Sequence, residues 1–179
     1  AIYRPYDPTT DVGKHIEDWQ GGKFEAVYNY REEDKYIYAE HMAAACVLYG
    51  AVAYPEMNFD LVAAEFQRNN MDPYLLYDSD PITGEWKPTP GANSTNAGIK
   101  DDLFAAGRNW VNKFVEYEVQ REVLEEFRDI KNPEEMTDYD LFTACVFALR
   151  GSESNTVRFM QQKTQNTLTL ERFFPTFYY

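Results

Sequence analysis

The most informative segment of the chain is Gly50-Ala51-Val52-Ala53-Tyr54-Pro55-Glu56-Met57-Asn58. Small and β-branched apolar residues lead up to a proline, a pattern that predicts a short buried strand. Pro55 has no main-chain N–H to give to a sheet, so regular pairing is expected to stop near it. Glu56 then lies at the carboxyl end of the strand, where ligands collect in α/β sheets. Glu56 is therefore a candidate metal ligand, and the alternative is a surface glutamate that opens a loop.

Length and charge limit the classes of protein that fit. The chain has 179 residues and is 44% hydrophobic, which indicates one globular domain rather than a disordered chain. Its formal net charge is −13, whereas free-standing nucleic-acid binders are usually basic. Contact with DNA would therefore need a local cationic patch, metal ions or another domain. The same acidity suits a site built from carboxylates.

The two cysteines indicate a reducing compartment. Cys46 and Cys145 each lie in an apolar run and are predicted to be buried, reduced thiols. Neither a disulfide framework nor a metal pair is indicated by their spacing. We find no signal peptide and no run long enough to cross a bilayer, so the expected location is the cytosol. The chain starts at Ala1 without a methionine and opens almost directly on a strand-like segment, so we expect an excised fragment or an incomplete chain.

Hydrophobic periodicity predicts an alternation of strands and helices. Two strands over residues 1–6 and 23–31 are expected to pair antiparallel, and a helix from Tyr36 to Tyr49 is expected to end at Gly50. Its predicted apolar stripe is Ile37, Met42, Ala45, Cys46, Leu48 and Tyr49. The further predicted elements are a helix at 59–69, a strand at 74–77, a hairpin around Thr83-Gly84, and helices at 99–116, 118–130 and 137–149.

Two stretches receive a plainer interpretation. The acidic stretch Glu116–Asp129 is predicted to be a solvated helix face with charge pairs four residues apart. Residues 152–179 lack clear periodicity and are predicted to extend from a domain that comprises residues 1–151.

This order of elements is that of the ribonuclease H-like nuclease fold. Strands come first, then helix–strand–helix–strand, then a helix with carboxylates near its start. In that fold, acids from strand ends and from the last helix converge on two divalent metal ions, which can activate a water and stabilise the leaving oxygen in phosphodiester hydrolysis. We therefore expect an α/β fold with a ribonuclease H-like mixed sheet flanked by helices.

Several short pieces, in their order and spacing, resemble the C-terminal nuclease domain of tailed-phage terminase large subunits. The similarity runs from about Phe24 to Gly151 and is greatest to the version found in crAss-like phages. The pieces that carry it are Phe24–Arg31, Tyr49-Gly50-Ala51 with Tyr54–Asn58, Tyr74-Leu75-Leu76, Thr95–Lys100, and Asp138-Tyr139-Asp140-Leu141 through Ala144.

The resemblance implies a set of acidic site residues. Glu56 matches the middle acid of the family, and Asp140 matches the final acid at the start of the last helix. Asp138 would be an accessory or alternative ligand. The implied cofactor is Mg²⁺ or Mn²⁺ in a two-metal site, with Glu56, Asp140 and Asp138 as catalytic residues.

The resemblance also implies how the domain meets its substrate and partners. Lys100 matches a lysine that could meet a phosphate, and residues 83–95 match a loop near the path of the DNA. Lys87 and Asn96 are therefore further candidates for DNA contact. The implied substrate is concatemeric double-stranded DNA in the host cytoplasm, and the implied protein partners are the terminase ATPase domain or the portal, with no membrane partner.

The chain departs from the family in two ways. The first acid of the family is not evident, and Asp7 is the only upstream aspartate at a strand end, which makes it a further candidate ligand. The simpler interpretation makes Ala1–Tyr6 the second strand, with the first strand missing from this chain. No Walker-type phosphate loop is present, so an ATPase motor is not encoded here.

Other functions stay open. One is a non-catalytic module that keeps the fold and docks on a portal, motor or capsid protein, an interpretation that the acidity and the aromatic residues Phe173–Tyr179 favour. A cellular junction resolvase of the same fold is a third interpretation.

Overall fold

A computed structural model describes residues 1–7, 9, 11, 21–30, 32–57, 60–79, 83–94, 97–152 and 157–159. The chain divides into two compact units. The first unit comprises residues 1–29 and 95–153, and the second comprises residues 30–94 and 154–179.

The described residues form a mixed α/β structure, which confirms the predicted class at that level. Its strands are β1 (Ile2–Arg4), β2 (Lys23–Ala26), β3 (Leu76–Ser79), β4 (Trp86–Pro90) and β5 (Val157–Phe159). Its helices are α1 (Lys35–Tyr49), α2 (Asp60–Arg68), α3 (Ala97–Phe114), α4 (Arg121–Asp129) and α5 (Asp140–Gly151). Short 3₁₀ turns lie at Asp72–Tyr74, Val115–Tyr117 and Pro133–Asp138. Within these ranges, no helix is long and apolar enough to cross a membrane.

The first unit is built on a chain of aromatic contacts. Strands β1 and β2 pair antiparallel, as predicted, and place Tyr3 opposite Phe24. The ring of Phe24 lies 5.2 Å from that of Tyr3 and 5.2 Å from that of Trp110 on α3. Trp110 contacts Phe127 of α4 at 4.8 Å, and Phe127 contacts Phe142 of α5 at 4.6 Å between ring centroids. These contacts join the strand pair and three helices into one core.

Small residues let α3 and α5 approach closely. A Cβ added at Gly107 of α3 would lie 2.9 Å from the Cγ1 of Val146 on α5, closer than real Cβ contacts allow. The indole N–H of Trp110 donates to the carbonyl oxygen of Gly22 at 2.8 Å, so the buried ring also satisfies its polar atom.

The second unit packs α1 and α2 against β3. Its core contains Ala39, Ala43, Cys46, Ala53, Val62, Phe66, Met71, Leu75 and Tyr77. The carboxylate of Asp34 accepts from the N–H of Tyr36 at the start of α1, and Gly50 ends the helix with a φ of 60°. Both helix ends were predicted from the sequence. The sheet has the order β4-β3-β5, and all its pairs are antiparallel.

Burial on α1 differs from the prediction. The buried side chains are Ala39, Ala43 and Cys46, while Leu48 and Tyr49 are exposed. The prediction followed the large apolar residues, but α2 packs closely on α1 and small side chains permit that approach. The predicted strand 23–31 is also shorter, because β2 ends at Ala26 and Tyr30 is 67% exposed.

The two cysteines are buried and free, as predicted. Burial raises the pKa of the Cys46 thiol and of the Cys145 thiol to about 12. Since the thiolate is the reactive form, both side chains act as core residues rather than as nucleophiles.

Candidate carboxylate site

Glu56 follows a short parallel pairing in the second unit. Ala53 pairs with Leu75 in parallel, and the N–H of Leu76 donates to the carbonyl oxygen of Ala53 at 2.9 Å. The predicted strand over residues 50–58 is thus reduced to isolated bridges, although Ala53 and its neighbours are buried as expected.

Gly91 and Ala92 are inserted between the segment that ends at Glu56 and the segment that begins at Leu75. The N–H of Gly91 donates to Leu76 O at 2.9 Å, and the N–H of Ala92 donates to Pro55 O at 3.1 Å. Glu56 itself forms a parallel bridge with Ala92. Pairing therefore continues past Pro55, contrary to the prediction, because proline lacks a donor but keeps its carbonyl acceptor. Glu56 lies where this insertion separates the two parallel segments. Ligand sites in α/β sheets form at places of this kind.

Gly91 is required for this close approach. Its φ is +79°, and a Cβ built there would lie 1.8 Å from the carbonyl oxygen of Pro55. Any other residue would push the inserted segment away from Pro55 and disturb the position of Glu56.

Ser94 is a side-chain partner of Glu56. Its hydroxyl donates a hydrogen bond to Oε1 of the half-buried Glu56 carboxylate. Ser94 was not among the site residues predicted from the sequence. No local pattern identifies it as a partner of Glu56, because the two residues meet through the parallel bridge at Ala92.

The ammonium of Lys87 already has an acidic partner. Lys87 Nζ lies 2.9 Å from Oδ2 of Asp78, whose side chain is 1% exposed. This ion pair joins β4 to β3 across the hairpin that the sequence predicted around Thr83-Gly84. A contact between Lys87 and DNA stays a prediction.

Asp138 and Asp140 lie on either side of the start of α5 in the first unit. Asp138 ends the preceding 3₁₀ turn, Asp140 is the first residue of the helix, and both are exposed. The residue that flanks the helix, Tyr139, provides no side-chain cap. The carboxylates are thus placed where the sequence predicted, at a helix N-terminus that favours negative charge.

Glu126 of α4 caps the N-terminus of α5. Its Oε2 accepts from the N–H of Phe142 at 2.6 Å. Burial raises the pKa of Glu126, the hydrogen bonds from Phe142 and Leu141 oppose that rise, and the charge of Asp140 adds to it. The sequence assigned Glu126 to a solvated helix face, which is wrong because a helix end from later in the chain packs on it.

Asp7 closes a turn. Its Oδ1 accepts from the N–H of Thr9 at 2.8 Å and from the Thr9 hydroxyl at 2.6 Å. The deeply buried acid nearby is Asp11, which is 2% exposed and accepts from the N–H groups of Asp7 and Gly21 at 2.9 and 3.1 Å. Both carboxylates have local structural partners, so a role of Asp7 as the first acid stays a prediction.

Among the residues that the structure describes, no three His, Cys, Asp or Glu side chains come together as a metal site. Glu56 belongs to the second unit, whereas Asp7, Asp138 and Asp140 belong to the first. Among their described residues, neither unit by itself supplies the ligand set of a two-metal centre, so that centre stays a prediction. Lys100 is partly exposed on α3, and Asn96 lies outside the described residues.

No family model, curated protein or solved structure matches this chain. The resemblance to terminase nuclease domains therefore stays a prediction that rests on the residues that carry it.

Proposed function

We propose that the chain is a metal-dependent endonuclease domain of ribonuclease H-like type, similar to the nuclease domain of phage terminase large subunits. Its substrate would be concatemeric double-stranded DNA, and its partners the terminase ATPase domain or the portal in the host cytoplasm. The observation that carries the proposal is the position of Glu56, where the inserted segment 91–92 separates two parallel segments. This is the type of position that α/β enzymes use for ligands.

The proposed roles of the acids follow from their chemistry. Carboxylate oxygens are the ligands that Mg²⁺ and Mn²⁺ prefer, and Glu56 and Asp140 would be the main ligands with Asp138 as an accessory. Bound ions would supply an activated water and stabilise the leaving oxygen. Ser94 orients the Glu56 carboxylate, and Glu126 fixes the first turn of α5 and so positions Asp140. Lys100 would meet a phosphate of the DNA.

Plasmid cleavage in Mn²⁺ tests the proposal. The parent chain should nick supercoiled plasmid, and both Glu56→Gln and Asp140→Asn should lower the rate at least about tenfold, since each removes a charged ligand. Glu116→Gln is the matched control, because Glu116 is an exposed acid on a turn of the first unit. Equal cleavage by parent, control and both variants would remove these residues from the mechanism.

Metal binding gives a second readout that does not depend on DNA. Titration calorimetry with Mn²⁺ should show binding to the parent that is weakened by either variant and kept by Glu116→Gln. A parent chain that binds Mn²⁺ as weakly as both variants would contradict the metal site.

The second candidate function is a non-catalytic module that docks on a portal, motor or capsid protein. The formal net charge of −13 favours it, because a strongly acidic surface repels DNA. A parent chain that neither binds Mn²⁺ nor nicks DNA, but binds one of those proteins, would favour the docking module over the nuclease.

A further inference from the structure

The outer side of helix α3, in the first unit, is polar and cationic along its second half. The exposed side chains there are Ala105, Arg108, Asn109, Asn112 and Lys113. At 3.6 residues per turn they occupy an arc of about 140°, with the arginine at one edge, the lysine at the other and the two amides between them. We call Arg108, Asn109, Asn112 and Lys113 the α3 patch.

The two cations of the α3 patch have no acidic partner. Other arginines of the first unit do, since the guanidinium groups of Arg121, Arg128 and Arg150 lie 2.8, 2.7 and 3.4 Å from a carboxylate. Among the residues that the structure describes, no carboxylate forms an ion pair with Arg108 or Lys113. The chain has 30 acids for 17 lysines and arginines, so two exposed cations without an acid leave positive charge for an anionic ligand.

The acids of α3 lie outside the patch. No Asp or Glu occurs between Asp102 and Glu116. Asp102 is engaged by Arg150, and Asp101 lies seven residues before Arg108, which is about 10 Å along the helix axis. That separation is about one Debye length at physiological salt, so this acid is largely screened from the patch. Glu116, three residues after Lys113, is the nearest acid in the sequence.

The inner side of α3 holds the patch in place. Trp110 is 2% exposed, and its indole N–H donates to the carbonyl oxygen of Gly22 at 2.8 Å. Its ring also packs against Phe24 and Phe127. The backbone under the patch is therefore fixed before any ligand arrives, which lowers the entropy cost of binding.

We propose that the α3 patch binds the sugar–phosphate backbone of double-stranded DNA, an inference that rests on the function proposed above. Arg108 and Lys113 each contact a phosphate, and the amides between them donate hydrogen bonds to backbone oxygens. None of the four residues was a candidate for DNA contact from the sequence.

The composition of the patch favours DNA over an acidic protein. Protein–protein interfaces bury aromatic and other apolar side chains at their centres, whereas Ala105 is the largest apolar side chain exposed in this half of α3. Protein–DNA interfaces are more polar and more positively charged. The patch has the second kind of composition.

Fluorescence anisotropy with a labelled DNA duplex of mixed sequence tests the proposal. EDTA is present, so that binding is measured without metal and without cleavage. The parent chain should bind the duplex, and its affinity should fall as salt rises from about 50 to about 200 mM. In Arg108→Gln/Lys113→Gln, the slope of log affinity against log salt should be less steep by about 1.8, because each phosphate contact on B-DNA contributes about 0.9.

Two further variants keep the test sharp. Arg128→Gln/Lys131→Gln is the matched control, because it removes the same charge from exposed positions at the end of α4 and should leave the slope as in the parent. Asn112→Asp keeps both cations and the shape of the side chain but adds a negative charge between them. It should weaken binding at low salt about fivefold, the effect of one close repulsion in water. Circular dichroism checks that each variant is folded.

The outcomes separate this inference from the proposed nuclease. A flatter slope in Arg108→Gln/Lys113→Gln alone, with weaker binding by Asn112→Asp, supports the inference even if the parent does not nick plasmid in Mn²⁺. A parent that nicks plasmid while that double variant keeps its slope overturns the inference and leaves the nuclease standing.

Three other results also overturn it. The first is a parent that does not bind the duplex at about 50 mM salt, where phosphate contacts are strong. The second is an equal change of slope in the matched control, which would show an effect of net charge rather than of this surface. The third is binding of polyglutamate as tight as that of DNA and lost in Arg108→Gln/Lys113→Gln, which would assign the patch to an acidic protein.

Discussion

Phe24 and Glu118 are joined by a hydrogen bond from the main-chain N–H of Phe24 to Oε2 of Glu118, at 2.9 Å. The other carboxylate oxygen accepts from the N–H groups of Val119 and Gln120 at 2.9 and 2.7 Å. Glu118 is 7% exposed. One buried side chain therefore ties strand β2 to the segment that enters α4.

Replacing Glu118 should destabilise the first unit. Glu118→Ala leaves three main-chain N–H groups without this acceptor, and buried donors without a partner cost about 1–3 kcal/mol each when water cannot reach them. We expect a loss of about 2–4 kcal/mol in the free energy of unfolding, measured by urea denaturation. Glu116→Ala, at an exposed position, is the control and should change it by less than about 0.5 kcal/mol. Equal small effects would show that water replaces the carboxylate.

The elements that were predicted correctly are those that depend on local signals in the sequence. Helix α1 has a capping aspartate and a terminal glycine, and α5 follows a turn rich in acids, so their ends were close to the predicted ones. The roles of Glu118 and Glu126 were missed because their partners lie far along the chain. Nothing in an acidic helix pattern shows that a strand N–H or a later helix end will pack against it.

Gly91 should be far less tolerant of substitution than Gly84. Both have positive φ, at +79° and +69°, but a Cβ at Gly91 meets the Pro55 carbonyl oxygen whereas a Cβ at Gly84 meets no atom within 4 Å. Gly84→Ala should cost about 1 kcal/mol for the left-handed backbone alone. Gly91→Ala adds a main-chain clash, and we expect a total loss of about 3 kcal/mol or more by urea denaturation. Similar losses in the two variants would contradict the close approach at Pro55.

The candidate site shows the same limit of sequence reasoning. Glu56 was identified because a proline after an apolar run has a local signature. Ser94 and the inserted pair Gly91-Ala92 were not, since parallel pairing between distant segments leaves no period or spacing in the sequence. The meeting of Glu56 with Asp140 is a prediction of the same non-local kind.

Lys87→Met should lower the free energy of unfolding, in addition to any effect that it has on DNA binding. The substitution removes the ammonium that lies 2.9 Å from the buried carboxylate of Asp78. Breaking such a pair from one side costs about 3–5 kcal/mol when both groups are buried, and Lys87 is partly exposed, so we expect about 2 kcal/mol. Urea denaturation of Lys87→Met, Asp78→Asn and the double variant measures the coupling. Additive losses would show that the two charges do not interact.

Glu126 should make stability depend on pH in a direction opposite to that of an ordinary salt-bridged acid. Burial raises its pKa in the folded chain above the ordinary value that it has when unfolded. Its contribution to stability is therefore complete below the unfolded pKa and is lost as the pH rises through the folded pKa.

Glu126→Gln tests this sign, because glutamine keeps an oxygen to accept from the N–H of Phe142 and does not ionise. The free energy of unfolding of the wild type minus that of Glu126→Gln should fall as the pH rises above the ordinary glutamate pKa of about 4.3, measured by urea denaturation at each pH. Glu134→Gln, at an exposed acid, should show no such fall. If this difference instead grows with pH, the N-terminus of α5 favours the ionised carboxylate more than burial disfavours it. The cap at Phe142 then stabilises α5 mainly through charge.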